Sequence, residues 1–177
     1  MIRSRPGLSA AVTRMAFIGG LLTGCAAASG RVVDGVYVDA AKGIRVDLPR
    51  SGWQVTQSPG ADLVLQHTGA DTSMAVSASC PEQERGSLPA LARHVFFGLR
   101  QVEWLRQEPI VLDGVAGLET VVRGSWEGAP IQVRSVVIRR KGCLYDLIFV
   151  APPETFEARD ADFDAFLAGW QFFSDKP

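Results

Sequence analysis

From residue 34 onward the chain is dominated by alternation of apolar and polar positions. Val36-Tyr37-Val38 is a short strand candidate, and Ile44, Val46 and Leu48 fall on one face of the run 43–49. Pro49 and Gly52 turn the chain into Trp53-Gln54-Val55, and another apolar run covers 62–68. Gly69-Ala70-Asp71 supplies a turn, after which Met74, Val76 and Ala78 alternate again. Cys80 shares the parity of Met74, which predicts a core-facing thiol.

The period then changes. Leu88, Leu91, Ala92, Val95 and Leu99 stand at offsets of one helical stripe, Phe96 and Phe97 widen it, and Ser87 is positioned to cap it. Pro89 is tolerated because it lies in the first turn. From Trp104 the pattern is a meander. Asp113-Gly114, Glu127-Gly128 and Lys141-Gly142 are evenly spaced turn dipeptides, and Asp-Gly is the strongest hairpin signal among them. Between them run Ala116-Leu118-Thr120-Val122, then Ile131, Val133 and Val137, then a nearly continuous apolar strand over 144–150. That last strand is apolar on both faces except at Asp146, which predicts a central position covered by helices.

Ala151-Pro152-Pro153 breaks the sheet. A final helix is expected with Phe163, Phe166, Leu167 and Trp170 inward, capped by Asp160 or Asp162. The fold class read from these elements is α+β: an antiparallel β-sheet meander of about six strands or more packed with two amphipathic helices.

The first 33 residues follow different rules. Arg3, Arg5 and Arg14 precede an uncharged run, Met15 to Leu22, far short of the roughly 20 residues a membrane span needs. A basic flank, a short apolar core and small residues make the layout of a secretory signal peptide. Leu22-Thr23-Gly24-Cys25 resembles the bacterial lipobox, in which cleavage falls before a cysteine that is then acylated. The resemblance implies a signal peptide over 1–24 and a lipidated tether over 25–33. A single α+β domain then covers 34–177. Cys25 would carry a diacylglyceryl group and an N-acyl chain, with palmitate the expected kind of fatty acid. Several acyl chains together make anchoring stable where one does not. By analogy with lipoproteins, Ala26 in place of an aspartate favours the outer membrane over the inner, at the periplasmic face.

Removing the leader takes three arginines and no acid, leaving 15 basic and 19 acidic residues, a formal balance of −4. No basic stripe is present, so nucleic acid is not an expected partner. With Cys25 lipidated, Cys80 and Cys143 remain as an even pair in an oxidising compartment. The expected outcome is a disulfide; two free buried thiols or a reactive cysteine are the alternatives.

The run Gly43-Ile44-Arg45-Val46-Asp47-Leu48-Pro49, followed by Gly52-Trp53, resembles the opening of the PsbP/Mog1/DcrB-like superfamily. The later order of helix, long hairpins and a final aromatic-rich helix is similar too. Members include photosystem accessory proteins, a Ran-binding protein and bacterial lipoproteins, so the resemblance implies a fold and not one function.

A search for chemistry yields little. His67 and His94 are the only histidines, and neither has the spacing of a metal site. Asp160, Asp162 and Asp164 lack the glycine and glutamate of a calcium loop. No phosphate-binding loop or nucleophile elbow occurs, so no catalytic residue, metal or cofactor is expected. Trp126 at a hairpin tip is either exposed to a partner or folded back on the body. Arg134, Arg139, Arg140 and Lys141 read as a basic patch on one hairpin. Trp126, Arg139 and Arg140 are therefore the candidate partner contacts.

The expected role is a non-catalytic accessory or binding module of an envelope complex. The alternative is a carrier of a small apolar ligand or lipid, with a groove lined by Phe96, Phe97, Phe149 and Phe166. A thiol-dependent enzyme stands behind both.

Overall fold

A computed structural model describes residues 30–80 and 86–173. The leader, Cys25 and most of the tether lie outside the described residues.

Eleven strands and two helices follow one another as β1 (Arg31–Val33), β2 (Val36–Asp39), β3 (Ile44–Asp47), β4 (Trp53–Thr56), β5 (Leu63–His67), β6 (Ser73–Ser79), α1 (Leu88–Val95), β7 (Arg100–Leu112), β8 (Val115–Trp126), β9 (Ala129–Arg140), β10 (Cys143–Ala151), α2 (Pro153–Ala168) and β11 (Trp170–Phe172). They build two antiparallel sheets among the described residues. The larger has the order β4-β5-β6-β10-β9-β8-β7 and the smaller β1-β2-β3-β11. Arg31–Val33, expected in the tether, is thus already an edge strand of the smaller sheet.

The three turn dipeptides behave as their chemistry demands. Asp113, Glu127 and Lys141 and the glycine after each all have positive φ, the backbone of tight two-residue hairpins. β7, β8, β9 and β10 consequently fold back on one another, in continuous register from β8 to β10.

β10 is the middle strand of the larger sheet, and both its faces are covered. On one, Tyr145, Leu147, Phe149 and Ala151 meet Met74, Val76, Ile138 and the inner side of α2 in the main core. The smaller sheet extends that cover through Ile44, Val46 and Trp170. On the other face α1 places Leu91 and Ala92 on Val137, and Phe96 on Val122 and Val133. Phe149 stacks on Phe163 and tilts against Phe156, with centroids 5.6 and 5.1 Å away. Truncating such a ring to alanine costs about 3–5 kcal/mol.

Several expectations shift. Ser87 does cap α1, its Oγ accepting from the Ala90 N–H, but the helix ends at Val95 and leaves Leu99 beyond it. Phe96 is buried while Phe97 is 91% exposed, so only one of the pair widens the stripe. α2 starts at Pro153, which puts Asp160 and Asp162 in mid-helix; neither caps it. Trp170 is inward as expected, but from β11.

Cys80 and Cys143 are joined by a disulfide. The register that pairs Leu144 with Ser79 brings the two cysteines opposite one another at one end of β6 and β10. Cys143 packs on the core, whereas Cys80 itself is exposed because the strand has already ended. With 63 residues between its ends, the bond contributes about 4 kcal/mol in the chain-entropy treatment.

Tyr37 and Tyr145 are the chain's two tyrosines, each 2% exposed. Burial raises both phenols above their ordinary 10.0, helped at Tyr37 by the nearby Asp39 and Asp62 and opposed at Tyr145 by Arg140. The folded state therefore holds these protons more tightly than the unfolded chain. Stability is fully present below about pH 10 and falls as pH rises beyond it. Absorbance at 295 nm during alkaline titration is expected to show no tyrosinate until circular dichroism reports unfolding, with both phenols then ionising together. Phenols that titrate freely near pH 10 in folded protein would contradict this packing.

Candidate functional site

The strongest electrostatic feature lies beneath α2. Arg134, expected in a solvated basic patch, is 7% exposed and Glu119 beside it 4%. Arg134 Nη2 donates to Glu119 at 2.8 Å, and its Nη1 donates to Asp160 at 2.8 Å and Asp164 at 2.7 Å. Arg106 reaches the other oxygen of Glu119 from the edge strand. The Arg134 guanidinium also sits 5.3 Å from the centroid of the Phe163 ring. Desolvation alone would lower its pKa, but the hydrogen bonds to Asp160, Asp164 and Glu119 outweigh that and raise it. Each guanidinium nitrogen of this arginine donates to one of the protein's own carboxylates, and the cluster clamps α2 to the sheet.

The other sequence candidates are likewise occupied. Arg139 Nη2 donates to the Gly86 carbonyl at 2.6 Å, and Arg140 lies 4.8 Å over the Phe172 ring. Both sit at the far end of β9 from Trp126: Trp126 pairs with Ala129, ten residues before Arg139, about 33 Å along the strand. The hairpin therefore carries no single patch combining the tryptophan with the arginines. His67 accepts from the Gly69 N–H and packs edge-on against Trp53, while His94 is exposed in the last turn of α1. Among the described residues no group of histidine, cysteine or acidic side chains could hold a metal ion. The four phenylalanines expected to line a groove are divided by the sheet: Phe149 and Phe166 are buried in the main core, and Phe96 lies under α1 on the opposite face.

What remains open is the tip of the β8–β9 hairpin. Trp126 is 48% exposed, and it is also folded against the turn after α1. A Cβ at Gly98 would stand 2.7 Å from its ring, so the indole lies directly on the Gly98 backbone, whose φ is +95°. The ring is thus exposed and folded back on the body at once. Beside it a cleft of about 570 Å³ is lined by Gly98, Arg100, Gln101, Ser125, Trp126, Glu127 and Gly128. A smaller cleft of about 360 Å³ follows along Arg93, Trp104, Leu105, Arg106 and Gln107. Phe97 projects next to Gly98, and Trp104 is half exposed with its ring edge-on to Phe96 at 5.4 Å.

β7 shapes both clefts. Its register with β8 slips between Arg100 and Glu103 and again between Trp104 and Arg106, and Gln101 adopts φ 53°. Bulges of this kind re-aim side chains at a sheet edge. Together with Pro109 and alternating charges they also discourage a foreign strand from pairing there.

No protein-family model matches the chain, and no curated protein matches it. Solved structures do. The solution structure of cyanobacterial PsbP (CyanoP) from Synechocystis sp. PCC 6803 superposes with a TM-score of 0.60 at 19% identity, covering 85% of this chain and 96% of that one. The fold is PsbP-like. LpqN of Mycobacterium tuberculosis, described as involved in cell envelope biogenesis, gives a TM-score of 0.54 at 14% identity over 73% of this chain and 84% of that one. A Pseudomonas aeruginosa protein of unknown function gives 0.51 at 13% identity over 75% and 92%. Identities this low establish architecture alone.

The Arg134 cluster makes a sharp prediction. Arg134→Leu leaves Glu119 buried with only Arg106 and is expected to cost about 3–5 kcal/mol in urea unfolding. Asp164→Asn, at the exposed end of the cluster, should cost under about 1 kcal/mol. Equal costs for the two variants would show that the buried pair is not the clamp.

Proposed function

We propose that this chain is a lipid-anchored envelope protein whose PsbP-like domain serves as a non-catalytic accessory or binding module on the periplasmic side, with the outer membrane the favoured site. The observation that carries the reading is the cysteine arithmetic. Three cysteines are present, Cys80 and Cys143 are bonded, and Cys25 is left at the end of a lipobox-like run. A cross-strand disulfide between two strand ends is what an oxidising compartment permits.

Two further features favour a binding role. The buried pair of Arg134 and Glu119 is consumed in clamping α2, and two open clefts lie elsewhere on the surface. The envelope role stated for LpqN, a structural neighbour, is compatible with the same setting. No described helix is long and apolar enough to cross a membrane, so attachment through Cys25 would be the means of retention. The carrier reading draws no support from a shared phenylalanine groove.

The anchoring step is testable in cells. Globomycin is expected to raise the apparent mass by retaining the leader, and Cys25→Ser to release the protein from membranes after a high-salt wash. Unchanged precursor processing, or a Cys25→Ser protein that still sediments with membranes, would remove the anchor from the account.

A further inference from the structure

We propose that the cleft between the turn after α1 and the β8–β9 tip binds an extended segment of a partner protein in which an apolar side chain is followed within a few residues by a carboxylate. The proposal deepens the accessory reading above and rests on it.

The apolar half of the site is built from rings that the core does not use. Trp104 and Trp126 are each 48% exposed on the walls of the two clefts, and Phe97, 91% exposed, directly precedes Gly98 of the larger one. Covering an exposed phenylalanine ring removes apolar surface from water, a strong reason for a partner to seat there. The cleft beside Trp126, about 570 Å³, falls within the size range of pockets that hold a side chain with its flanking backbone. It is also preformed, because the indole rests on Gly98 and cannot swing inward. Gln101, at φ 53°, is the one wall residue outside the turn dipeptides with left-handed non-glycine backbone. Strain of that kind concentrates at ligand sites.

The polar half is cationic. Arg100 lines the larger cleft and Arg93 the smaller, and among the described residues neither forms an ion pair. The chain beyond the leader carries a formal −4, and each of the two clefts nonetheless has on its wall an arginine without an ion pair. Only Glu127 opposes them at the rim. A carboxylate on the partner satisfies Arg100 with geometry that guanidinium favours.

Rings with arginines would equally suit an anionic bilayer. Chain direction argues for protein. Arg31 pairs with Val38, beside the turn whose Lys42 carbonyl accepts from Tyr145. Tyr145 pairs with Ile138, and nine residues of β9, about 30 Å, separate Ile138 from Ala129 at the cleft. The stretch from Cys25 to Gly30 spans at most roughly 20 Å. The cleft thus lies farther along β9 from the anchored end than the tether is long, which favours a partner protein over the domain's own membrane.

The test uses the detergent-solubilised lipidated protein and a phage-displayed dodecapeptide library. Selection is expected to enrich peptides with an aromatic or branched aliphatic residue and an Asp or Glu one to three positions later. Fluorescence anisotropy with an enriched peptide should weaken about tenfold or more for Phe97→Ser and for Arg100→Glu. Both side chains are exposed, so unchanged melting curves are expected and separate binding from folding. No enriched pattern, or a pattern whose affinity both variants leave intact, would overturn the proposal. So would unlipidated Cys25→Ser protein that binds vesicles of phosphatidylcholine and phosphatidylglycerol through Phe97 while no peptide is enriched. The anchoring experiment fails separately: a released Cys25→Ser protein with no enriched peptide refutes the cleft alone, and enriched peptides on a protein never processed refute the location alone.

Discussion

The fold depends on a strand that is apolar on both faces except at Asp146. β10 presents Tyr145, Leu147 and Phe149 to one side and Leu144, Ile148 and Val150 to the other, so both sides need cover. A single sheet with one wet face does not satisfy that requirement. The chain answers with three layers. α1 closes one face, and α2 with the small sheet closes the other. The order of strands follows: β10 must sit centrally, between β6 and β9, with shorter or more polar strands outward.

Covering the second face raises a further problem, which Arg134 resolves. α2 lies over β9 and β10, and its long axis runs past the place where the apolar strip gives way to Glu119 and Arg134. Removing two charges from water is costly unless each finds partners. Here the helix supplies them through Asp160 and Asp164, one turn apart on the side facing the sheet. The ionic contact thus selects the position of α2 along the strands, which apolar packing alone would leave free to slide. Trp53 adds a second such mark by donating from Nε1 to Asp162.

Much of this architecture was legible because it is local. Alternation identified β3 and β6, an apolar run marked β5, the three turn dipeptides positioned the hairpins, and Ser87 marked the start of α1. The run from Gly43 to Trp53 carried the family resemblance that the structural neighbours bear out as a fold. Features that failed to show were non-local. Asp160 and Asp162 read as caps because spacing within a helix is silent about distant partners, Arg134 for Asp160 and Asp164 and Trp53 for Asp162. A signal was nonetheless present: Arg134 stands among Val133, Ser135, Val136 and Val137, and a cation inside a doubly apolar strand demands an acid from elsewhere. The division between Phe96 and Phe97 was hidden for another reason. It depends on where α1 stops, at Val95, a point that apolar periodicity does not record.

That stop also explains why the open surface is where it is. A polar residue at position 97 would solve every packing requirement of the fold, since nothing in the core touches Phe97. Trp126 is similarly dispensable to the three layers, because Phe96, Val122 and Val133 already close the α1 face without it. Yet Gly98 lacks the Cβ that would push the indole away, and the bulges in β7 hold Gln101 and Leu105 out of the regular ladder beside it. Helix end, hairpin tip and edge strand are each shaped at the same spot in ways that stability alone does not require. Pocket walls held in place before a partner arrives lose little entropy on binding, and this is the part of the molecule where such walls exist.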